Sequence, residues 1–167
     1  TMEAHDRLFI VEVMGRHAGY IALHSGIATG AEYILIPEAK TSMTDIARSL
    51  SEKEKRKKLV NLVVVAEGHS TGGAVGFVEG LKKYLPDVDA RISILGHIQR
   101  GGSPTCIDRM TASRMGYHAI ECLLTGKHNV MVGIQNNAMC YTPFAEALTG
   151  KQKMDEAWMK IIKILAS

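Results

Sequence analysis

NLVVVAEG, residues Asn61–Gly68, is the stretch that decides the fold. Asn61–Ala66 is almost purely apolar and rich in β-branched valine, so the side chains that alternate between the two faces of a strand are apolar on both. Such a strand has to be covered above and below, the condition of a strand in a parallel sheet between helices. The run then gives way at once to Glu67-Gly68-His69-Ser70-Thr71-Gly72-Gly73, a polar, glycine-rich turn.

The same alternation extends in both directions. Toward the N-terminus, Leu8–Val13 (LFIVEV) reads as a strand ending at Met14-Gly15-Arg16, and Ala18–Ala28 carries a helical pattern. Ala31–Ile36 (AEYILI) is a second strand, stopped by Pro37, which cannot donate to a ladder. Thr44–Lys58 is helix-like, with Thr44 as N-cap and Asp45 favourable in the first turn. Toward the C-terminus come a helix at Val75–Leu85, a strand at Ile92–Leu95, a long helix at Asp108–Leu124, a last strand at Val130–Ile134 and a terminal helix at Glu156–Leu165. This order predicts an α/β fold, a mostly parallel, Rossmann-like sheet flanked by helices on both faces.

Composition narrows the field of functions. With 167 residues, 46% hydrophobic and 22% charged, the chain is long and apolar enough to bury a sizeable core. A net charge of +3 is too small to point to nucleic acid, although local clusters can still hold small anions. Cys106, Cys122 and Cys140 are far apart and form no C-x-x-C, so reduced thiols are expected. No apolar run reaches the length of a membrane span and no leader pattern is visible; a cytoplasmic protein without a membrane partner is predicted. The basic run Lys53–Lys58 reads as a solvated helix face.

In open α/β sheets ligands sit beyond the carboxyl ends of the strands. The chemically suggestive clusters fall there: Met14-Gly15-Arg16, Glu67-Gly68 and His97-Ile98-Gln99-Arg100-Gly101-Gly102. Arginine forks match phosphate oxygens, histidine adds a donor, and glycine lets backbone N–H groups approach an anion. One carboxylate among these cations suits a sugar hydroxyl, so the cluster reads as a site for a phosphorylated polyol. Each residue alone also fits a structural role: His97 as a hydrogen-bonder, Arg100 paired with Asp108, Glu67 as a helix cap, Gly101-Gly102 as a plain turn. On an extended strand Arg91, Ser93, Leu95 and His97 share a face, with Arg91 and His97 about 20 Å apart and Arg7 and Arg16 about 30 Å apart. Arg7 and Arg91 are then either ordinary surface arginines or donors to a neighbouring subunit.

VEVMGRHAGYIAL (Val11–Leu23), VVVAEG (Val63–Gly68) and GHIQRGGSPTCIDRMTASRMG (Gly96–Gly116) together resemble the 6-phosphofructokinases. The resemblance runs from about Arg7 to Asn136 and is to the C-terminal half of the bacterial-length family. It implies a fructose 6-phosphate-binding domain over residues 1–135, of which 100–135 pack with the absent N-terminal half, and a tail with a terminal helix over 136–167. The implied activity is transfer of phosphate from ATP, with Mg²⁺, to the sugar 1-hydroxyl.

Position by position, the resemblance implies that Met14 and Gly15 line the sugar and that Arg16 assists the transferring phosphoryl group. Glu67 holds a sugar hydroxyl, His97 donates to the 6-phosphate and Arg100 contacts the sugar substrate. Arg7 and Arg91 correspond to arginines lent to the neighbour's 6-phosphate in a homo-oligomer, a tetramer in the parent. Gly30, Glu32, Arg56 and Lys58 fall near the allosteric effector positions, and Val60 stands where some members have histidine. The glycine-rich nucleotide segment and the catalytic aspartate belong to the other half, so the fragment alone is expected to be inactive and to bind no metal. Alternatives are half of a pyrophosphate-dependent phosphofructokinase and a non-catalytic sugar-phosphate-binding regulatory module. The intact His97–Gly102 run leans toward the ATP type.

Overall fold

The computed structural model describes residues 7–55, 62–149, 157, 158, 160 and 161. Arg56, Lys58 and Val60 lie outside the described residues, as does most of the terminal helix expected at Glu156–Leu165; within that span Ala157, Trp158, Lys160 and Ile161 are helical. The described residues divide into two compact units, the first running to Gly101 and including 157, 158, 160 and 161, the second beginning at Gly102.

The first unit contains β1 (Leu8–Val13), α1 (Tyr20–Ala28), β2 (Tyr33–Leu35), α2 (Met43–Lys55), β3 (Leu62–Ala66), α3 (Gly73–Lys82), β4 (Ala90–Ile94) and a 3-10 turn at Gly96–Arg100. Its strands form one sheet in the order β2-β3-β1-β4, all parallel. β3 is buried on both faces, as its composition requires. Val63 and Val65 pack with Leu8, Ile10 and Leu35 against α2 and α3, where Phe77 and Leu81 are fully buried. Val64 and Ala66 pack with Val13, Ile34 and Ile36 against Ala22 of α1. Each fully buried valine contributes about 1.5–3 kcal/mol of transfer free energy. β4 pairs only with β1 among the described residues, and Ile94, beside Glu12 in register, is 56% exposed.

Two local expectations are corrected. The N-cap of α2 is Ser42, not Thr44: the Asp45 N–H donates to Ser42 Oγ at 3.2 Å, and the helix begins at Met43. β4 ends at Ile94, and Leu95 already has helical dihedrals (φ −71°, ψ −38°). The strand parity that put His97 on the face of Arg91 therefore stops at Ile94, and the extended-chain separations are upper limits.

The second unit holds α4 (Cys106–Leu124), β5 (Val130–Gln135), β6 (Ala138–Pro143) and α5 (Phe144–Thr149). Thr105 and Asp108 close a capping box at the start of α4: the Asp108 N–H donates to Thr105 Oγ1, and Asp108 Oδ2 accepts from the Thr105 N–H at 2.8 Å and from its hydroxyl. Asp108, read from sequence as a possible partner of Arg100, spends its carboxylate there. Val130–Ile134 is not a strand of the parallel sheet. β5 pairs antiparallel with β6, which the sequence reading left inside the tail, through a turn at Asn136 and Asn137 with φ of 52° and 61°. A boundary between 135 and 136 would cut this hairpin at its turn. Among the described residues no helix is long and apolar enough to cross a membrane.

Candidate functional site

Parallel pairing aligns the carboxyl ends of β1, β3 and β4, with Val13 beside Ala66 and Glu12 beside Ile94. The ladder continues one step past each strand: the Glu67 N–H donates to Val13 O at 2.9 Å, and the Leu95 N–H to Glu12 O at 3.2 Å. The turns beyond are then fastened by side chains. Glu67 Oε1 accepts from the Gly15 N–H at 3.0 Å and the Arg16 N–H at 2.7 Å. Gln99 Oε1 accepts from the Met14 N–H at 3.3 Å, while its amide donates to Gly96 O at 3.1 Å, tying the 3-10 turn to the turn after β1.

Backbone proximity explains two glycines. Gly15 has φ of +149°, and a Cβ there would lie 2.3 Å from Ala18 O. A Cβ on Gly68 would lie 1.7 Å from Arg16 O, so this turn lies directly against the Arg16 backbone. Arg16 itself has φ of 50°, whereas the other non-glycine residues with positive φ among those described are Asn129, Asn136 and Asn137. Asparagine tolerates that region; arginine is held in it by the surrounding bonds, as happens at functional sites.

Electrostatics follow from this wiring. The Arg16 and Gly15 N–H groups hold the Glu67 carboxyl below its usual range, with the positive charges of Arg100 and Arg16 adding to the effect. Glu67 is therefore an anion, and its Oε2 makes no hydrogen bond among the described residues. Arg16, His97 and Arg100 are exposed. The structure thus brings Arg16, Glu67 and Arg100 into one electrostatic neighbourhood and puts Met14 and Gly15 in the same backbone network. His97 sits on the turn that carries Arg100 and makes no hydrogen bond to the others. Chemically, the edge offers two guanidinium forks, an imidazole and one carboxylate oxygen to a small, phosphorylated, hydroxyl-bearing ligand.

Arg7 and Arg91 stand at the opposite, amino end of β1 and β4. Both contact Asp89: Arg7 Nε is 2.7 Å from Oδ2 and Arg91 Nη2 is 3.4 Å from Oδ1. They are brought together with each other and not with Arg16. Gly30, with φ of +67°, follows α1 and is exposed; the Glu32 N–H donates to Leu62 O at 3.0 Å. Arg56 and Lys58 lie outside the described residues.

Sequence reasoning passed over four residues that build this edge. Gln99 lies inside the His97–Gly102 run, where it carries no charge to mark it. Glu12, a charge in an otherwise apolar strand, accepts from the Ala74 N–H at 2.7 Å and so caps α3, whose N-cap Gly72 has no side chain to do so. Glu38 accepts from the Gly19 N–H at 2.8 Å at the start of α1. His69 is 3% exposed and bridges the turn after β3 to the loop after β2. An acidic residue one position before a strand end, with a Gly-Gly helix start later in the chain, is the signal that could have found Glu12. Among the described residues no three His, Cys, Asp or Glu side chains cluster to hold a metal, so none is assigned to one.

A family model described as phosphofructokinase matches residues 1–123. The ATP-dependent 6-phosphofructokinase of Brevibacillus brevis is 45% identical over 166 residues, covering 99% of this chain and 51% of the relative. ATP-dependent 6-phosphofructokinase 1 of Thermus thermophilus is 44% identical with the same coverage of each. Among solved structures, phosphofructokinase from Saccharomyces cerevisiae aligns with a TM-score of 0.73 at 31% identity, over 98% of this chain and 23% of the other. A pyrophosphate-dependent phosphofructokinase from Marinobacter aquaeolei aligns with a TM-score of 0.76 at 25% identity, over 93% and 44%. The chain spans about half the length of the curated relatives it matches.

Proposed function

This chain belongs to the phosphofructokinase family, and from that premise we propose that it supplies the sugar-substrate side of an ATP-dependent 6-phosphofructokinase. The reaction joins the 1-hydroxyl oxygen of fructose 6-phosphate to the γ-phosphorus of ATP and breaks the bond to the β–γ bridging oxygen. Fructose 1,6-bisphosphate, ADP and a proton result.

The observation that carries this reading is the fastening of the three strand-end turns, through Glu67 on Gly15 and Arg16 and through Gln99 on Met14. Catalysis of phosphoryl transfer is mostly positioning and neutralisation of charge, which a pre-wired edge supplies without reorganisation. Arg16 stabilises charge on the moving phosphoryl group, and Glu67 accepts a sugar hydroxyl at Oε2. Met14 and Gly15 line the sugar, while Arg100 and His97 take its phosphate end. Arg7 and Arg91, gathered on one carboxylate, serve the 6-phosphate of a neighbouring subunit in a homotetramer. Gly30, Glu32, Arg56 and Lys58 belong to an allosteric effector site of a cytoplasmic glycolytic enzyme. The nucleotide cradle, its Mg²⁺ and the carboxylate that positions the 1-hydroxyl fall in the length of the relatives that this chain does not span. Turnover by these 167 residues alone is not expected.

Calorimetric titration of the chain with fructose 6-phosphate tests the reading. Arg100→Ala should weaken binding by about tenfold or more, the scale of one charge-assisted phosphate contact. Equal affinity for unphosphorylated fructose, or no effect of Arg100→Ala, would contradict it. A pyrophosphate donor is the second reading, favoured by the Marinobacter aquaeolei likeness but at 25% identity against 45% for an ATP-dependent relative. Donor competition in a protein carrying this segment separates the two.

A further inference from the structure

His69 is buried, polar and unused by the proposed reaction, yet it sits one residue from the glycine packed on Arg16 O. Its Nδ1 accepts from the Thr71 N–H at 3.3 Å, which leaves Nε2 as the protonated nitrogen, donating to Thr41 Oγ1 at 3.2 Å. The Thr71 hydroxyl lies 2.9 Å from Nδ1 and 3.2 Å from Gly73 O, and its single hydrogen serves one of these two acceptors at a time. The ring therefore joins three things: the turn that carries Glu67, the start of α3, and the loop after β2. The backbone N–H of His69 donates to Ala66 O at 2.9 Å, which ties the turn to the end of β3.

We propose that His69 is a positioning residue for the carboxyl-edge site: as a neutral imidazole it latches the Glu67 turn to the loop after β2, and a proton on the ring loosens that turn and the hold of Glu67 on the Gly15 and Arg16 amides. A proton on Nδ1 turns it into a donor toward Thr71 Oγ1, 2.9 Å away, and takes the acceptor from the Thr71 N–H. Among the described residues no neighbouring charge adds to the effect of burial on this ring. The ionisable side chains on the described elements around the ring are Glu12 on β1, Arg16 and His17 after it, Glu38 and Lys40 on the β2 loop, Asp45, Arg48 and Glu52 on α2, Glu67, and Glu79 and Lys82 on α3. None of them hydrogen-bonds the ring. Glu12, Glu38, Asp45 and Glu67 are engaged on the Ala74 N–H, the Gly19 N–H, Arg48, and the Gly15 and Arg16 N–H groups. Burial pushes the imidazole below its usual value of 6.5. The unfolded chain then takes the proton first, so the latch contributes fully above that value and is lost as pH falls below it.

The consequence for ligand rests on the sugar-phosphate reading above; the latch does not. In the ligand-free 167-residue chain, NMR from about pH 8 to about pH 5 follows the His69 ring and the Gly15 and Arg16 amides. The expected result is a neutral ring protonated on Nε2, amides that shift with the ring's own midpoint, and no such shift in His69→Asn, which keeps an acceptor near Nδ1 but does not titrate. Amides that ignore the ring's midpoint, or a neutral ring protonated on Nδ1, would overturn the proposal even if the variant failed to fold. In a second arm, fructose 6-phosphate affinity of the unaltered chain should fall relative to His69→Asn by about fivefold or more across that midpoint. The ratio cancels titration of the sugar phosphate itself. Amides that follow the ring while neither protein binds fructose 6-phosphate at any pH would sink the sugar-phosphate reading and keep the latch; a constant affinity ratio with binding intact would sink the latch's effect on the site.

Discussion

Gly68 and Gly72 belong to the same turn and separate two reasons for needing glycine. Gly68 has ordinary dihedrals but no room, since its Cβ would meet Arg16 O at 1.7 Å; Gly72 has φ of +84° but nothing within 4 Å. Alanine at Gly68 should cost about 1–3 kcal/mol by forcing the two turns apart, and should also shift the Arg16 amide and weaken fructose 6-phosphate binding. Alanine at Gly72 costs about 1–2 kcal/mol of backbone strain alone and leaves ligand affinity where it was. Denaturant unfolding paired with calorimetry checks both; equal loss of affinity in the two variants would contradict the close approach at Gly68. The candidate site was legible at this scale wherever a residue's chemistry is local: Arg16, Glu67 and Arg100 could be picked out as ions at strand ends. What could not be read was where Glu67 spends its charge. Its partners are backbone amides of another strand's turn, 51 and 52 positions away, and backbone amides leave no mark in a sequence.

At the scale of elements, the two-faced apolar pattern of β3 made the layered parallel sheet legible, because burial on both sides constrains every residue of the strand. Element ends were less legible, since caps are chosen by competition between near neighbours. Thr44 and Ser42 both have a suitable hydroxyl, and the helix starts where Ser42 can accept from the Asp45 N–H. Ser42→Ala should therefore lower stability by about 1 kcal/mol, while Thr44→Ala changes it by less than about half that. Thermal unfolding of the two variants distinguishes them, and the reverse order would restore Thr44 as the cap. β6 escaped notice because its run, AMCYTP, ends in proline and alternates weakly, while its pairing with β5 depends on two asparagines adopting positive φ. Glu12 looked like a blemish in β1; the helix it caps begins 61 residues later at Gly73, so only the folded sheet gives it a purpose.

Across the whole molecule, one sheet edge gathers turns from β1, β3 and β4, in a chain that spans about half the length of the curated relatives it matches. The carboxylates Glu12, Glu38 and Glu67 each satisfy backbone N–H groups of a different segment. The turns of this edge are thus bonded to their neighbours without any ligand, which lowers the ordering that binding has to supply. That makes a single ligand titration diagnostic. Fructose 6-phosphate is added to the isotopically labelled chain while the amide resonances of Gly15, Arg16, Gly68, Gln99 and Arg100 are followed. They should move together along one saturation curve that unphosphorylated fructose does not reproduce. If those amides stay in place, whether saturation appears elsewhere in the chain or nowhere, the account of this edge as a sugar-phosphate site is contradicted.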